Sequence, residues 1–340
     1  MNESLQALVA RFIEDRDAIR AAFKLENDYI YPVCAQIFLA ADRPVERERL
    51  EECKALVKST TGVFSNFRGN IKLPLLCVLA AGDDPEERWA KAQRGYALLK
   101  DAFSGSEYLA LAALLLSDTV NEDAFPALGA RGRDLFKRMR KEHPFLTGRE
   151  DSVFALLLAQ SDRSDDELIE DMERCYDLLR EHFPGGDGLQ TASHVLALST
   201  EDPTDKAFRV VSLYNAIEAA GGKYGKTRQL PILAALTLGQ RFAEDLARDI
   251  LELDGFLATQ KGYKGVFGMD KRTRIMHAAM LLSLSDQSSG QRATVNARPA
   301  GDPGHDRGPA GPHVRRHRQL RRRKRRLRRQ PLRLEADRIS

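Results

Sequence analysis

The chain has 340 residues, 43% of them hydrophobic and 30% charged, with a formal net charge of +4. That balance sets aside a membrane-embedded protein, and four widely spaced cysteines are too few for a disulfide-built scaffold. The sign of the charge misleads: residues 291–340 hold 16 Lys+Arg against 4 Asp+Glu, leaving 37 against 45 in residues 1–290. An acidic body carries a basic appendage.

From the N-terminus, Leu5, Leu8, Val9, Phe12, Ile13 and Ile19 recur at helical spacing among charges, with no uninterrupted apolar core of the signal-peptide kind. A short, nearly all-apolar segment then recurs: Val33–Ala41, Leu73–Ala81, Leu109–Leu116, Val153–Ala159, Ala192–Leu198, Ile232–Leu238 and Ile275–Leu284. Most end in polar or turn-forming residues such as Asp42, Gly82-Asp83-Asp84-Pro85, Ser117-Asp118, Ser161-Asp162 and Thr200-Glu201-Asp202-Pro203. Asp and Ser side chains there can accept from free helical amides, and Pro fits a first helical position, so these sites start the next helix. Each such site leads into a longer charged segment with one apolar stripe. Trp89, Ala92, Tyr96, Leu99 and Phe103 form one such stripe, and Leu168, Ile169, Met172, Tyr176, Leu179 and Phe183 another.

The polar ends of successive apolar segments are separated by 41, 35, 44, 40, 38 and 46 residues. Two helices per step of this length is the pattern of helical-repeat arrays, in which a two-sided apolar helix becomes an inner layer. Identity between steps is weak. The expected fold is therefore all-α, with alternating short apolar and long amphipathic helices, as a solenoid-like repeat array or an irregular multi-helix bundle. It would form a single helical domain over residues 1–290. No stretch reaches about 18 apolar residues, so no transmembrane span is expected. With Cys34, Cys53, Cys77 and Cys175 each inside an apolar-periodic segment, the expected compartment is a reducing cytoplasm.

Few motifs carry chemistry. Ala220–Thr227 matches a phosphate-binding loop in form but comes after a helical pattern and runs quickly into Pro231, so a glycine helix end and a flexible loop are expected instead. Body histidines His143, His182, His194 and His277 show no metal-ligand spacing, and His194 and His277 sit in apolar helices as expected core residues. Asp165, Asp166, Glu167, Glu170, Asp171 and Glu173 read as a solvated acidic face near a helix start. Arg131, Arg133, Lys137, Arg138, Arg140 and Lys141 read as a local ion-pair surface on one helix. No nucleophile with a neighbouring base stands out, and neither a cofactor nor a metal is expected.

Residues 291–340 are rich in Arg, Pro and Gly, culminating in Arg321–Arg329, and cannot build a core. As a genuine segment they are a disordered arm that neutralises phosphates, predicting steeply salt-sensitive nucleic-acid binding lost on their removal. GC-rich Arg codons read one nucleotide later become Ala codons, however, so the tail is expected to be a frameshifted C-terminus starting near Asn296. Stop codons in the shifted frame of the DNA beyond Asn296 would refute that hypothesis.

Phe67-Arg68-Gly69 stands before Leu73-Pro74-Leu75, Pro85-Glu86-Glu87 leads to Tyr96-Ala97-Leu98-Leu99-Lys100, and Leu189-Gln190-Thr191-Ala192-Ser193 stands before Val195-Leu196-Ala197-Leu198. On these stretches the body, about residues 1–288, resembles a bacterial family of uncharacterised proteins, domain of unknown function 4003. The resemblance implies similar alternating helices, an alanine-rich C-terminal tail that this chain lacks in its stated frame, and no catalytic residue. The leading functional expectation is a binding or scaffolding protein presenting stacked helices to a protein or peptide. The alternative is an enzyme or small-ligand binder whose pocket gathers Arg68, Lys72, Gln190 and Lys226 from several helices. The third is nucleic-acid binding through the tail.

Overall fold

Two kinds of helix alternate along the chain in the computed structural model. It describes residues 3–296 except 25, 28, 240, 266 and 267, and of residues 3, 4 and 285–296 the backbone alone. The long kind comprises α1 (Glu3–Ala22), α3 (Arg47–Thr60), α5 (Pro85–Leu99), α7 (Phe125–Glu142), α9 (Asp165–Arg180), α11 (Pro203–Ala219) and α13 (Ala243–Leu257). Between them run the short helices α2 (Ile30–Ala40), α4 (Lys72–Ala81), α6 (Glu107–Leu116), α8 (Ser152–Leu158), α10 (Asp187–Ala197) and α12 (Leu230–Leu236). After α13 comes α14 (Lys271–Asn296), which carries the last apolar segment at its start but runs for 26 residues. Each of the recurrent apolar segments falls on one of these even-numbered helices. The described residues contain no strand, so the fold is all-α and repeat-like.

Local chemistry explains the starts of α5, α9 and α11. By contrast, α3, α7 and α13 begin at Glu46, Ala124 and Phe242 without a side-chain cap, so the expected starts at Asp42 and Ser117-Asp118 do not cap them. Asp84 accepts from the Glu87 amide at 2.9 Å ahead of Pro85, and Asp202 accepts from the Thr204 amide at 2.9 Å ahead of Pro203. Ser164 and Glu167 exchange bonds in a capping box at α9. The ends of the short helices are closed by a device that no local pattern announces. An arginine from the paired long helix, or from the turn before it, donates to their terminal carbonyls. Arg49 binds Ala80 O at 2.7 Å, Arg131 binds Ala159 O at 3.0 Å, Arg163 binds Ala197 O at 3.1 Å and Arg209 binds Thr237 O at 3.0 Å. Free carbonyls at a helix C-terminus carry the negative end of the dipole, so a guanidinium there is stabilising.

The short helices form the inner layer. In α4, Leu73, Leu75, Leu76, Cys77 and Leu79 are all buried, on every side of the helix. Each buried leucine contributes about 1.5–3 kcal/mol of apolar transfer. Neighbouring short helices pack in order, α2 on α4, α4 on α6, α6 on α8, α8 on α10 and α10 on α12, while successive long helices pack outside them.

The series returns to its start. Phe12 of α1 packs edge-on against His277 of α14 with ring centroids 6.5 Å apart, and His277 Nδ1 lies 2.7 Å from the Tyr263 hydroxyl. The Arg16 guanidinium of α1 sits 5.4 Å from the Tyr263 ring centre and donates to Lys261 O at 2.9 Å. The first and last helical pairs are therefore in contact, and the described array closes on itself.

One expectation about polar residues changes. Asp171 does not belong to a solvated acidic face: it is buried and receives Lys206 Nζ at 2.7 and 2.8 Å and Arg163 Nη2 at 2.7 Å. Its companions Asp165 and Asp166, on the outer side of α9, do remain at the surface as partners of Arg131 and Arg138. His194 and His277 are buried as expected. Residues 297–340, with the nucleic-acid and reading-frame expectations placed on them, lie outside the described residues.

Candidate anion-binding cleft

Because long and short helices alternate in direction, the segments 61–71, 100–106, 143–151, 181–186, 220–229 and 258–270, each leading from a long helix to the helix after it, share one end of the array. The turns 41–46, 82–84, 117–124, 159–164, 198–202 and 237–242 share the other. At the loop end two clefts adjoin, of about 500 and 370 Å³, with Ser106 and Arg149 in the walls of both. Ser106 caps α6 by accepting from the Leu109 amide at 3.1 Å, so its position is set by helix geometry.

The loop bearing Arg68 is pinned by its aromatic neighbour. Phe67 is buried edge-on against Trp89 and Tyr96, with centroids 4.7 and 5.0 Å apart, and Asn66 donates to the Tyr96 hydroxyl at 2.6 Å. That leaves Arg68 at the wall of the larger cleft with Asn66, Tyr108, Arg149 and Glu150. The loop bearing Arg149 is held from below. Asp151 accepts from the Gly148 amide at 2.9 Å and faces His194 at 3.4 Å, while Gln190 donates to Thr147 Oγ1 at 2.8 Å. The smaller cleft adds Arg133 and Arg140 of α7, with Phe103 and Phe136. The Arg133 guanidinium lies 5.6 Å from each of those ring centres.

Arg68, Arg133, Arg140 and Arg149 thus surround two joined clefts. Among the described residues none of the four has a carboxylate oxygen within 4.0 Å, whereas Arg131 and Arg138 on the other side of α7 are paired at 2.8 and 2.5 Å. The expected ion-pair surface on α7 is therefore split by helical geometry. Positions 131 and 138, seven apart, face α9, and positions 133 and 140, also seven apart, face the cleft. Burial, followed by the nearby Glu150 and Glu107 carboxylates, pushes the Tyr108 phenol above its ordinary range, which keeps it a neutral hydrogen-bond donor. Arg68 donates to Thr61 O at 3.4 Å, and Glu107 and Glu150 also stand in the wall of the larger cleft. Guanidiniums without a carboxylate partner, beside hydroxyl and amide donors, are the chemistry that receives phosphate or carboxylate oxygens.

The four residues singled out from sequence all sit toward this end, in different settings. Arg68 lines the larger cleft, and Gln190 is buried beneath the smaller one, bracing Thr147. Lys72 reaches Glu26 at 3.5 Å, and Lys226 lies 5.0 Å from the Tyr214 ring centre in the glycine-rich loop. That loop comes after α11 with Gly221 at φ +81°, a helix end and not a phosphate loop on a strand. Sequence reasoning misses Arg149, since a lone Arg after Gly148 carries no periodic signal. Among the described residues, no group of three or more His, Cys, Asp or Glu side chains is placed to hold a metal ion, and no helix is long and apolar enough to cross a membrane.

No solved structure matches this chain. It is similar to a Bacillus subtilis (strain 168) protein described as "Uncharacterized protein YeaA", with 24% identity over 251 residues, covering 71% of this chain and 74% of the relative. The sequence matches the family described as "Protein of unknown function (DUF4003)" over residues 17–297, a span running from α1 through α14 and enclosing every residue of both clefts. The chain belongs to that family.

Proposed function

We propose that this protein is a binding protein for an anionic ligand, held in the joined clefts at the loop end by Arg68, Arg133, Arg140 and Arg149. The observation that carries the reading is the contrast within α7, where two arginines are neutralised by α9 and the two facing the cleft are not. Leaving cations unpaired beside one another costs repulsion, which an arriving anion relieves. The reading is one of recognition without a catalytic step.

Inorganic phosphate and citrate are suitable probes. A ligand that binds only the folded state raises the melting temperature by mass action, so both should stabilise the full chain in proportion to concentration. Arg149→Ala and Arg68→Ala should remove the effect while Arg138→Ala leaves it intact. Equal stabilisation of all these variants would refute the proposal.

A second reading, a scaffold for another protein, draws on the opposite end, where Leu198, Phe208 and Phe242 are exposed at 46, 68 and 76%. Large apolar side chains left in water at one end of a fold can mark a contact surface. A photo-cross-linker at position 242 that captures a defined partner in cells, and fails to in Phe208→Ser, would support it. Labelling unaffected by that substitution would count against it.

A further inference from the structure

The loop end carries an apolar feature beside its charge. Phe64, in the loop between α3 and α4, is 101% exposed, and Val63 next to it is 74% exposed. Phe145, in the loop between α7 and α8, is 98% exposed. Phe64 is itself part of the wall of the larger cleft with Arg68 and Arg149, and Arg149 lies four residues after Phe145 in the same loop. One exposed ring, Phe64, is therefore in the wall that holds Arg68 and Arg149, and a second, Phe145, is exposed in the loop that carries Arg149. An exposed Phe costs apolar hydration that neither the fold nor a small dissolved anion offsets.

Charge is also segregated along the array. Asp42, Asp83, Asp118, Asp162 and Asp202 occupy the turns at the far end, where acidic residues outnumber Arg43, Arg163 and Arg241. In the loops of the other end, Lys223, Lys226, Arg228, Lys261 and Lys264 join Arg68, Lys100 and Arg149 and outnumber Asp101, Glu150, Asp151, Glu181 and Asp270 there. The molecule is electrostatically polarised, with its more basic end facing away from its acidic one.

We propose, building on the anion-binding reading, that the loop end is a peripheral attachment surface for an anionic lipid bilayer. The headgroup phosphates occupy the arginine clefts, and Phe64 and Phe145 enter the acyl boundary from their two loops. Interfacial binding combines these two elements: apolar side chains buried to shallow depth and cations meeting anionic headgroups. Arginine stems can lie along the apolar boundary while their heads stay among phosphates. The acidic turns are held away from the surface, which fixes the orientation. A protein partner would need a shaped counter-surface, whereas a bilayer accepts separate loop tips without one. Attachment of this kind requires no spanning helix.

The test uses the full chain with phosphatidylcholine vesicles, with and without phosphatidylglycerol. The basic residues 291–340 can hold the chain near anionic vesicles by themselves, so binding alone is not the readout. Trp89 is the chain's one tryptophan and is 1% exposed, so Phe64→Trp adds a second, surface-placed reporter. With phosphatidylglycerol present, its emission should shift to the blue and be quenched by lipids brominated on the acyl chain, while wild-type emission stays constant. Phe145→Ser should weaken vesicle binding by about tenfold, the scale set by losing one partly buried ring, and Arg149→Glu should weaken it further. Vesicle binding without a blue shift or quenching at position 64 overturns the proposal, because attachment then runs through the tail. If phosphate and citrate still stabilise the protein in that case, the cleft serves a dissolved anion. Insertion at position 64 that persists in Arg149→Glu overturns the role given to the headgroup phosphates.

Discussion

Lys206 of α11 donates to both carboxylate oxygens of Asp171 of α9, at 2.7 and 2.8 Å, and both side chains are buried. Ser199 O accepts from the same ammonium at 3.1 Å, and Arg163 reaches the same carboxylate at 2.7 Å. Two long helices and the turn between α10 and α11 are thereby tied at one buried point. Removing one member of such a pair leaves an unmatched charge in a poorly solvated site. Lys206→Met is expected to lower the unfolding free energy by about 3 kcal/mol, the low end for a broken buried pair because Arg163 remains. Urea denaturation measures it, and a loss below about 1 kcal/mol would place the pair among ordinary surface contacts.

Closure of the array is predicted to be sensitive to acid. Burial first, then the charge of Arg16, push His277 down to about 4, with Asp270 acting in the opposite sense. The folded protein therefore holds this imidazole neutral while the unfolded chain protonates it near its ordinary 6.5. Its contribution is complete above pH 6.5 and is lost as pH falls from there toward 4, by about 3 kcal/mol in all. Asp15, whose buried carboxyl is raised, works in the opposite direction, so the comparison must be between variants. His277→Gln should be destabilised at neutral pH and show a shallower decline between pH 6.5 and 4 than wild type. Parallel pH profiles would exclude His277 as the source.

Glycine substitutions should divide sharply. A Cβ on Gly188 would lie 2.2 Å from the Thr227 carbonyl oxygen, a backbone atom that cannot swing aside. Gly188→Ala is expected to cost at least about 1–3 kcal/mol by overpacking. A Cβ on Gly255, inside α13, would meet nothing within 4 Å, and Gly255→Ala should stabilise by up to about 1 kcal/mol from helix propensity. Thermal melts of the two variants should move in opposite directions.

The four cysteines are all buried and free. Burial pushes the Cys175 thiol up to about 12 and the Cys53 thiol up to about 11, and raises Cys77 well above its ordinary range beside Cys34. The thiolate is the reactive form, so native protein at pH 8 should react with a disulfide reagent only as fast as it opens, and all four thiols should titrate in urea. Fast labelling of any one in the native state would contradict the packing around it.

Sequence alone established the alternation of apolar and amphipathic helices, their approximate bounds and the capped starts of α5 and α11. Those features are local. A stripe at 3.6-residue spacing or a short two-sided apolar run is visible within one helix, and Asp84-Pro85 or Asp202-Pro203 cap amides two or three residues away. The segregation of acidic body and basic tail was equally legible, because charge is additive along the chain. What only the tertiary structure decided was which faces meet. Arg16 and Lys261, 245 residues apart in sequence, join the first helical pair to the last, and nothing within either segment announces the other. Arg131 and Arg133 are two residues apart on α7, yet one is neutralised by Asp165 and the other faces an open cleft. Asp171, written into an acidic run, is buried because Lys206 arrives from another helix to match it. Periodicity gives each residue a direction on its own helix, but whether that direction ends in water, in a partner or in a ligand site depends on how distant helices cross.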